Sequence, residues 1–500
     1  MNVLLSLLQK SPDYMQLLQA VEAKQAVAVS GLSQAPRSHV LAAVHEQSGR
    51  PLIAVCQDDM AAKRLASELG AFLGEEPPVL PSRELTLAGA IGVSRQWEQQ
   101  RLRLLYALAQ GRVPVLVASL DALLLRTIPR QTLFSASVTL RVGAEYSMPD
   151  LISRLTRAGY SRASLVEGVG QFALRGGILD VYSPAQEKPL RAEFFGDELD
   201  TMGYFDPITQ RRTENADEAI LLPVAETEPH LHPQGVAGLC GDLRAIITRQ
   251  QRRKTPNQAL IETLQKDCEA LENETLFASA DRYMALIYPE FTTAASYLPQ
   301  EAVVAFCDHG NLQRGEKDRA EEFGLLLDSF LTSGTLFGEL CDYYATIDDL
   351  AASLQGRAVI YCDGFLAARY PESLPPKQLL SFTARQLPGY GGSLETAAAD
   401  LKNYASNQYG SIVLCGGQRR GEILKDLLAK SGLNALLAFP LTKLPQPGQI
   451  LIAGGSLPAG LEYPTLKFAI LTEGQIAVRQ ERKRVRAPKK ATNRKKLDSF

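Results

Sequence analysis

The sequence predicts an α/β protein in which a helix-covered parallel sheet is accompanied by an α+β segment and a second, smaller α/β domain. Three observations carry that expectation. Apolar strand-like runs at 26–31, 51–57 and 113–119 are separated by helical patterns, residues 136–225 hold several short strands, and alternation returns after 346. Continuous Val, Ile, Leu and Ala runs suit strands buried on both faces, which is the signature of a parallel sheet. Helices are expected at 36–48, 58–73 and 94–110, the last with Trp97, Leu102, Leu105, Tyr106 and Leu108 on its apolar face. A short amphipathic helix at 151–158 follows Met148-Pro149-Asp150, and a buried strand is expected at 301–307. The last alternating region predicts strands at 357–362, 411–416, 449–453 and 467–472, with helices at 395–407 and 419–430.

The run Phe172-Ala173-Leu174-Arg175-Gly176-Gly177-Ile178-Leu179-Asp180-Val181-Tyr182 and the run from Leu190 to Asp200 carry the functional signal. Residues 190–195 read as a strand ending at a Gly196-Asp197 turn. Side chains alternate along a strand, so Ala192 and Phe194 face inward while Arg191, Glu193 and Phe195 face outward. Arg175 points away from Leu174, just before the Gly-Gly bend. Arginines flanking an exposed aromatic have the composition of a binding hot spot. An ordinary sheet with a solvated face accounts for the same pattern.

The blocks Arg-Gly-Gly-Ile-Leu-Asp-Val-Tyr-Ser-Pro, Arg-Ala-Glu-Phe-Phe-Gly-Asp-Glu-Leu-Asp, Tyr204-Phe205-Asp206-Pro207 and Gln210-Arg211 stand in one order over about 50 residues. They resemble the UvrA-interacting domain shared by the UvrB and Mfd families. The resemblance implies that Arg175, Arg191 and Phe195 contact UvrA. It also implies that this domain is inserted within a UvrB-like parallel-sheet domain. The expected domains are 1–125 and 226–345 for the two halves of that host, 126–225 for the insert, 346–475 for a small third domain, and 476–500 for a basic linker.

Gly31-Leu32-Ser33-Gln34-Ala35-Pro36-Arg37-Ser38 occupies the place and length of a Walker A phosphate loop. Gly31 and Ser38 match the motif. Pro36 replaces the second glycine and removes an N–H, while Arg37 replaces the lysine that would reach the terminal phosphates. Proline suits a helix's first turn, and an arginine at a helix N-terminus still attracts anions. The strand ending in Asp308-His309 resembles a Walker B motif in which His309 stands where a water-orienting glutamate would be; it is expected to be an ordinary loop residue. Asp308 could reach Mg²⁺ through water. Two altered motifs together predict a degenerate P-loop that does not hydrolyse ATP. The span from Ser82 to Ser94 is short and lacks aromatics, unlike the DNA-inserting hairpin of UvrB, so the resemblance is to the amino-terminal part of the Mfd family.

The net charge is −2, but residues 479–496 hold ten Lys/Arg against Glu481 alone, which leaves the remaining chain at −11. A mildly acidic body is a poor track for a nucleic-acid backbone. The tail reads as a disordered connector in preference to a DNA contact. Cysteines at 56, 240, 268, 307, 341, 362 and 415 lack metal-ligand spacing, and their odd number suits a reducing cytoplasm. The start of the chain lacks a basic leader, and no apolar run reaches membrane-spanning length. No metal or cofactor is expected, and the chain is expected to be a cytoplasmic monomer. The resemblance implies that ATP, RNA polymerase and double-stranded DNA are bound by other parts of a longer family protein. The expectation is thus a non-catalytic adaptor that recruits UvrA to a stalled transcription complex. A UvrB-like ATP-dependent helicase and a DNA-binding module acting through the tail are its rivals.

Overall fold

The computed structural model describes residues 3–88, 96–273, 277, 279–367, 369–390 and 393–476. The basic tail, and part of the span compared with the UvrB hairpin, lie outside the described residues. The chain forms two compact units, Met1–Arg385 and Gln386–Phe500.

The first unit is built on a seven-stranded sheet in the order Gln378–Ser381, Ala26–Ser30, Ala358–Cys362, Val303–Cys307, Leu52–Cys56, Val115–Ser119 and Val79–Leu80. Every neighbouring pair is parallel. The central strands are buried along their whole length because helices such as Gln34–Ser48 and Asp59–Leu73 cover the faces. Asp58 starts the second of these helices by accepting from the Ala61 N–H at 2.7 Å.

The strand predicted at 357–362 does not open a third domain. Ala358–Cys362 lies at the centre of the first sheet, between Ala26–Ser30 and Val303–Cys307, and the first unit runs on to Arg385. A boundary at 346 is therefore too early. An apolar strand reads alike in either sheet, and its partners lie far away in sequence.

Between the strands that precede and follow it, the α+β segment builds its own sheet in the order Arg212–Asn215, Glu198–Phe205, Leu190–Phe195, Ile178–Val181, Gln171–Arg175 and Ser161–Arg162. Its pairs are antiparallel except the last, and a two-stranded ribbon of Val138–Arg141 and Glu218–Leu221 accompanies it. Helix Met148–Arg157 begins at Pro149 and sends Leu151 and Leu155 into a core with Phe172, Leu179, Ala192 and Met202.

The second unit has a sheet containing, in order, Leu461–Tyr463, Phe468–Thr472, Gly410–Cys415, Ile450–Gly454 and Ala435–Ala438. These pairs are parallel except the one between Leu461–Tyr463 and Phe468–Thr472. Helices Leu394–Ser406 and Gln418–Lys430 pack on it through Ala397, Leu401, Leu424 and Leu428.

Candidate docking site

The hairpin Leu190–Phe195 and Glu198–Phe205 turns through Gly196, whose φ of +65° suits a residue without a Cβ. Its alternation sets the two phenylalanines apart. Phe194 leans into the core edge-on to Tyr146, with ring centroids 6.3 Å apart. Phe195 stands 85% exposed beside the turn. A second turn, at Gly176-Gly177, approaches closely. The Phe194 N–H donates to the Gly177 carbonyl at 2.8 Å, and a Cβ on Gly177 would lie 2.7 Å from the Phe194 oxygen.

The two arginines differ from one another, and Asp180 is the reason. Its carboxylate is buried on Ile178–Val181, directly across from Arg191 in the strand register. Arg191 grips it with both edges of the fork, Nε to Oδ1 at 2.7 Å and Nη2 to Oδ2 at 2.9 Å. Arg175 adds Nη2 to Oδ2 at 2.5 Å and keeps about half its side chain in solvent. The expectation that Arg191 is an exposed contact is thereby corrected: only 19% of its side chain is accessible. It also lies 4.6 Å over the Phe205 ring and donates to the Gln210 carbonyl and side-chain oxygens, each at 3.3 Å.

Those last bonds pin the loop that displays a residue the sequence reading missed. Ile208 is 90% exposed. Asp206 Oδ1 accepts the N–H groups of Ile208 and Thr209 at 3.0 and 2.7 Å, so the loop is a closed turn. These bonds, led by that from Thr209, hold the Asp206 carboxyl below its ordinary range. The two signals were present in Asp206-Pro207 and Gln210, but an isoleucine inside a turn sequence carries no pattern of its own.

The expected phosphate loop is shorter than its motif. Helix Gln34–Ser48 begins three residues after the strand, leaving only Gly31, Leu32 and Ser33 between them. Gly31 has φ +80°, and a Cβ there would lie 2.0 Å from the Phe382 carbonyl oxygen. Pro36 is buried in the first helical turn. Ser38 Oγ bonds the Gln34 carbonyl at 3.0 Å and Glu68 Oε2. Arg37 is 6% exposed, and its Nη1 meets Asp308 Oδ2 at 2.6 Å. The cation at the lysine position thus neutralises the carboxylate at the Walker B position across a cleft of about 160 Å³.

His309 is not a loop residue. It opens helix His309–Thr332, is fully buried, and stacks on Tyr370 with centroids 5.5 Å apart. Burial holds its imidazole down at about 4, while the backbone N–H of His309 donates to Asp363 Oδ1 at 2.6 Å. An aromatic cage of Phe306, Tyr361 and Tyr370 keeps it neutral and out of reach of a water.

A buried ionic joint, also missed from sequence, anchors the end of the α+β segment. Arg101 Nε and Nη2 hold Glu226 at 3.0 and 3.2 Å, and Arg83 Nη2 holds Asp281 at 2.8 Å. Burial alone would raise the Glu226 carboxyl, but Arg101 and Arg83 overcome it and hold it below its ordinary range. Among the described residues there is no cluster suited to a metal ion and no helix long and apolar enough to cross a membrane.

Comparison with known proteins places the docking strands inside a recognised module. Residues 138–226 match the family model described as the UvrB interaction domain. The whole chain is 23% identical over 510 residues to the transcription-repair-coupling factor of Bacillus subtilis strain 168. It is 25% identical over 507 residues, 99% of its length, to the transcription-repair-coupling factor of Staphylococcus aureus strain USA300. In both cases it spans 42% of the relative's length. The chain therefore carries a UvrB interaction domain at residues 138–226 and is similar along its whole length to part of the transcription-repair-coupling factors.

Proposed function

We propose that this chain is a non-catalytic adaptor of transcription-coupled nucleotide excision repair, which recruits UvrA to a stalled RNA polymerase. The observation that carries the reading is Phe195, 85% exposed on a hairpin of a matched UvrB interaction domain. A large apolar side chain left 85% exposed contributes little to this fold and gains most when a partner covers it. Arg175, half exposed, supplies a charge-assisted bond to an acidic group on UvrA. Arg191 acts chiefly as a positioning residue, through Asp180 and the Gln210 loop. Ile208 extends the apolar contact.

The closed phosphate loop supports the non-catalytic part of the reading. Arg37 and Asp308 satisfy each other, and the buried His309 offers no base. RNA polymerase and double-stranded DNA are engaged, on this reading, by other regions of a longer protein, and the chain acts as a cytoplasmic monomer. Calorimetric titration of UvrA into the wild-type chain and into Phe195→Ala tests it. The variant is expected to lose affinity by about 1–3 kcal/mol at unchanged stability. Equal affinity would remove Phe195 from the interface.

A further inference from the structure

Three thiols stand side by side at the carboxyl ends of three adjacent parallel strands. Cys307 is in register with Cys362 on one side. On the other side the register pairs Phe306 with Val55, so Cys307 and Cys56 are the next neighbours. Residues level with one another in a parallel sheet project from the same face, and adjacent strands lie about 4.8 Å apart. That spacing falls within the Cα–Cα range of a disulfide, about 4.4–6.8 Å. Cys56 and Cys307 both line the cleft of about 160 Å³ that also holds Arg37 and Asp308. Cys362 is fully buried and does not line that cleft.

We propose that Cys56 and Cys307 form a peroxide-sensitive thiol pair, oxidised to a disulfide that ties strand Leu52–Cys56 to strand Val303–Cys307. The Cys307 thiolate attacks one oxygen of hydrogen peroxide. The O–O bond breaks, the second oxygen leaves as water after taking a proton, and Cys307 becomes a sulfenic acid. The Cys56 sulfur then attacks Cys307 Sγ, the S–O bond breaks, and a second water leaves with the Cys56 proton. Both sulfurs are oxidised by one electron each, and one hydrogen peroxide is reduced. The roles follow from the surroundings. The neighbouring Cys56 thiol and the Arg37 guanidinium hold the Cys307 thiol below its ordinary range, although burial opposes them. The neighbouring Cys307 thiol and burial hold Cys56 above it.

The disulfide would covalently join two adjacent strands of the sheet, one preceding and one following residues 138–226 in sequence. A second close pair, Cys240 and Cys268 on packed helices Gly235–Gln251 and Gln258–Glu272, supplies an internal control. Burial raises both of those thiols, Cys268 to about 12, which leaves neither as a ready nucleophile.

The full chain is treated with hydrogen peroxide under native conditions, alkylated after denaturation, and mapped by peptide mass spectrometry. The expected result is loss of two of the seven free thiols and a cross-linked peptide joining Cys56 to Cys307. In Cys56→Ser the cross-link is absent and Cys307 is trapped as a sulfenic acid by dimedone. All seven thiols surviving peroxide would overturn the proposal, and so would a dominant Cys307–Cys362 or Cys240–Cys268 cross-link. The wild-type map decides the matter even if the serine variant fails to fold.

Discussion

Arg191→Ala tests whether this arginine is a contact or a support. The substitution removes both charge-assisted bonds to Asp180, the bonds to Gln210, and the cation over Phe205. Removing one partner of a buried pair costs about 3–5 kcal/mol, because the other charge is left without compensation. Asp180 would still have Arg175, and the rim of the site is open to water, so the estimate comes down to about 2–3 kcal/mol. With a urea slope of about 2 kcal/mol per M, the unfolding midpoint should fall by roughly 1–1.5 M. Circular dichroism during urea titration measures it. Arg191→Lys should recover part of the loss, since it keeps the charge but not the two-pronged geometry. The double variant Asp180→Ala, Arg191→Ala should be less destabilised than the sum of the two single changes. If Arg191→Ala unfolds at the wild-type urea concentration, the Asp180 network does not hold the sheet and Arg191 is a surface contact after all.

Arg175→Ala should cost at most about 1 kcal/mol of stability, because the side chain is half in solvent, while still lowering UvrA affinity. Ile208→Ser should weaken UvrA binding by less than Phe195→Ala and leave the unfolding free energy within about 0.5 kcal/mol of wild type. Titration with ATP and Mg²⁺ should give no saturable heat; a saturable isotherm would mean that the Arg37–Asp308 pair opens. Stability should fall on acidification from pH 7 to 5. His39 and His309 have folded values near 4 against an ordinary 6.5, so the unfolded chain binds more protons in that window and gains on the folded one. Asp363, raised to about 6 by burial, works in the opposite direction below that pH, which leaves a net loss on the order of 2 kcal/mol. Urea midpoints at the two pH values measure this, and His309→Phe should remove a large part of the dependence.

The strand period made the docking hairpin legible. Phe194 and Phe195 fall on the faces that alternation assigns, and the Gly196-Asp197 turn is where the sequence signal puts it. What alternation could not supply was the partner of the outward arginine. Asp180 read as one more residue of a strand, yet the register sets it across from Arg191, whose side chain is largely covered and paired instead of standing fully exposed. The third-domain boundary failed for a related reason. Ala358–Cys362 is apolar throughout, and only pairing with strands more than 50 residues away decides which sheet it joins. The departures from the phosphate-loop motif were visible in Pro36 and Arg37, but the early start of helix Gln34–Ser48 and the pairing of Arg37 with Asp308 depend on tertiary contacts.

The closed loop and the docking face belong to one argument. Arg37 and Asp308 are 2.6 Å apart, so an internal ion pair joins helix Gln34–Ser48 to strand end 307–308, and a ligand entering the cleft would have to compete with it. The ionic joint of Arg83, Arg101, Glu226 and Asp281 then ties the end of residues 138–226 to that same host, with carboxylates held charged by the guanidinium groups around them. Breaking one partner of such a buried set is far costlier than leaving it whole, so the joint resists hinge motion at the base of the insert. If Phe195 and Ile208 are the anchors proposed above, docking gains from that rigidity, because each degree of freedom already fixed in the free chain is one that binding need not freeze.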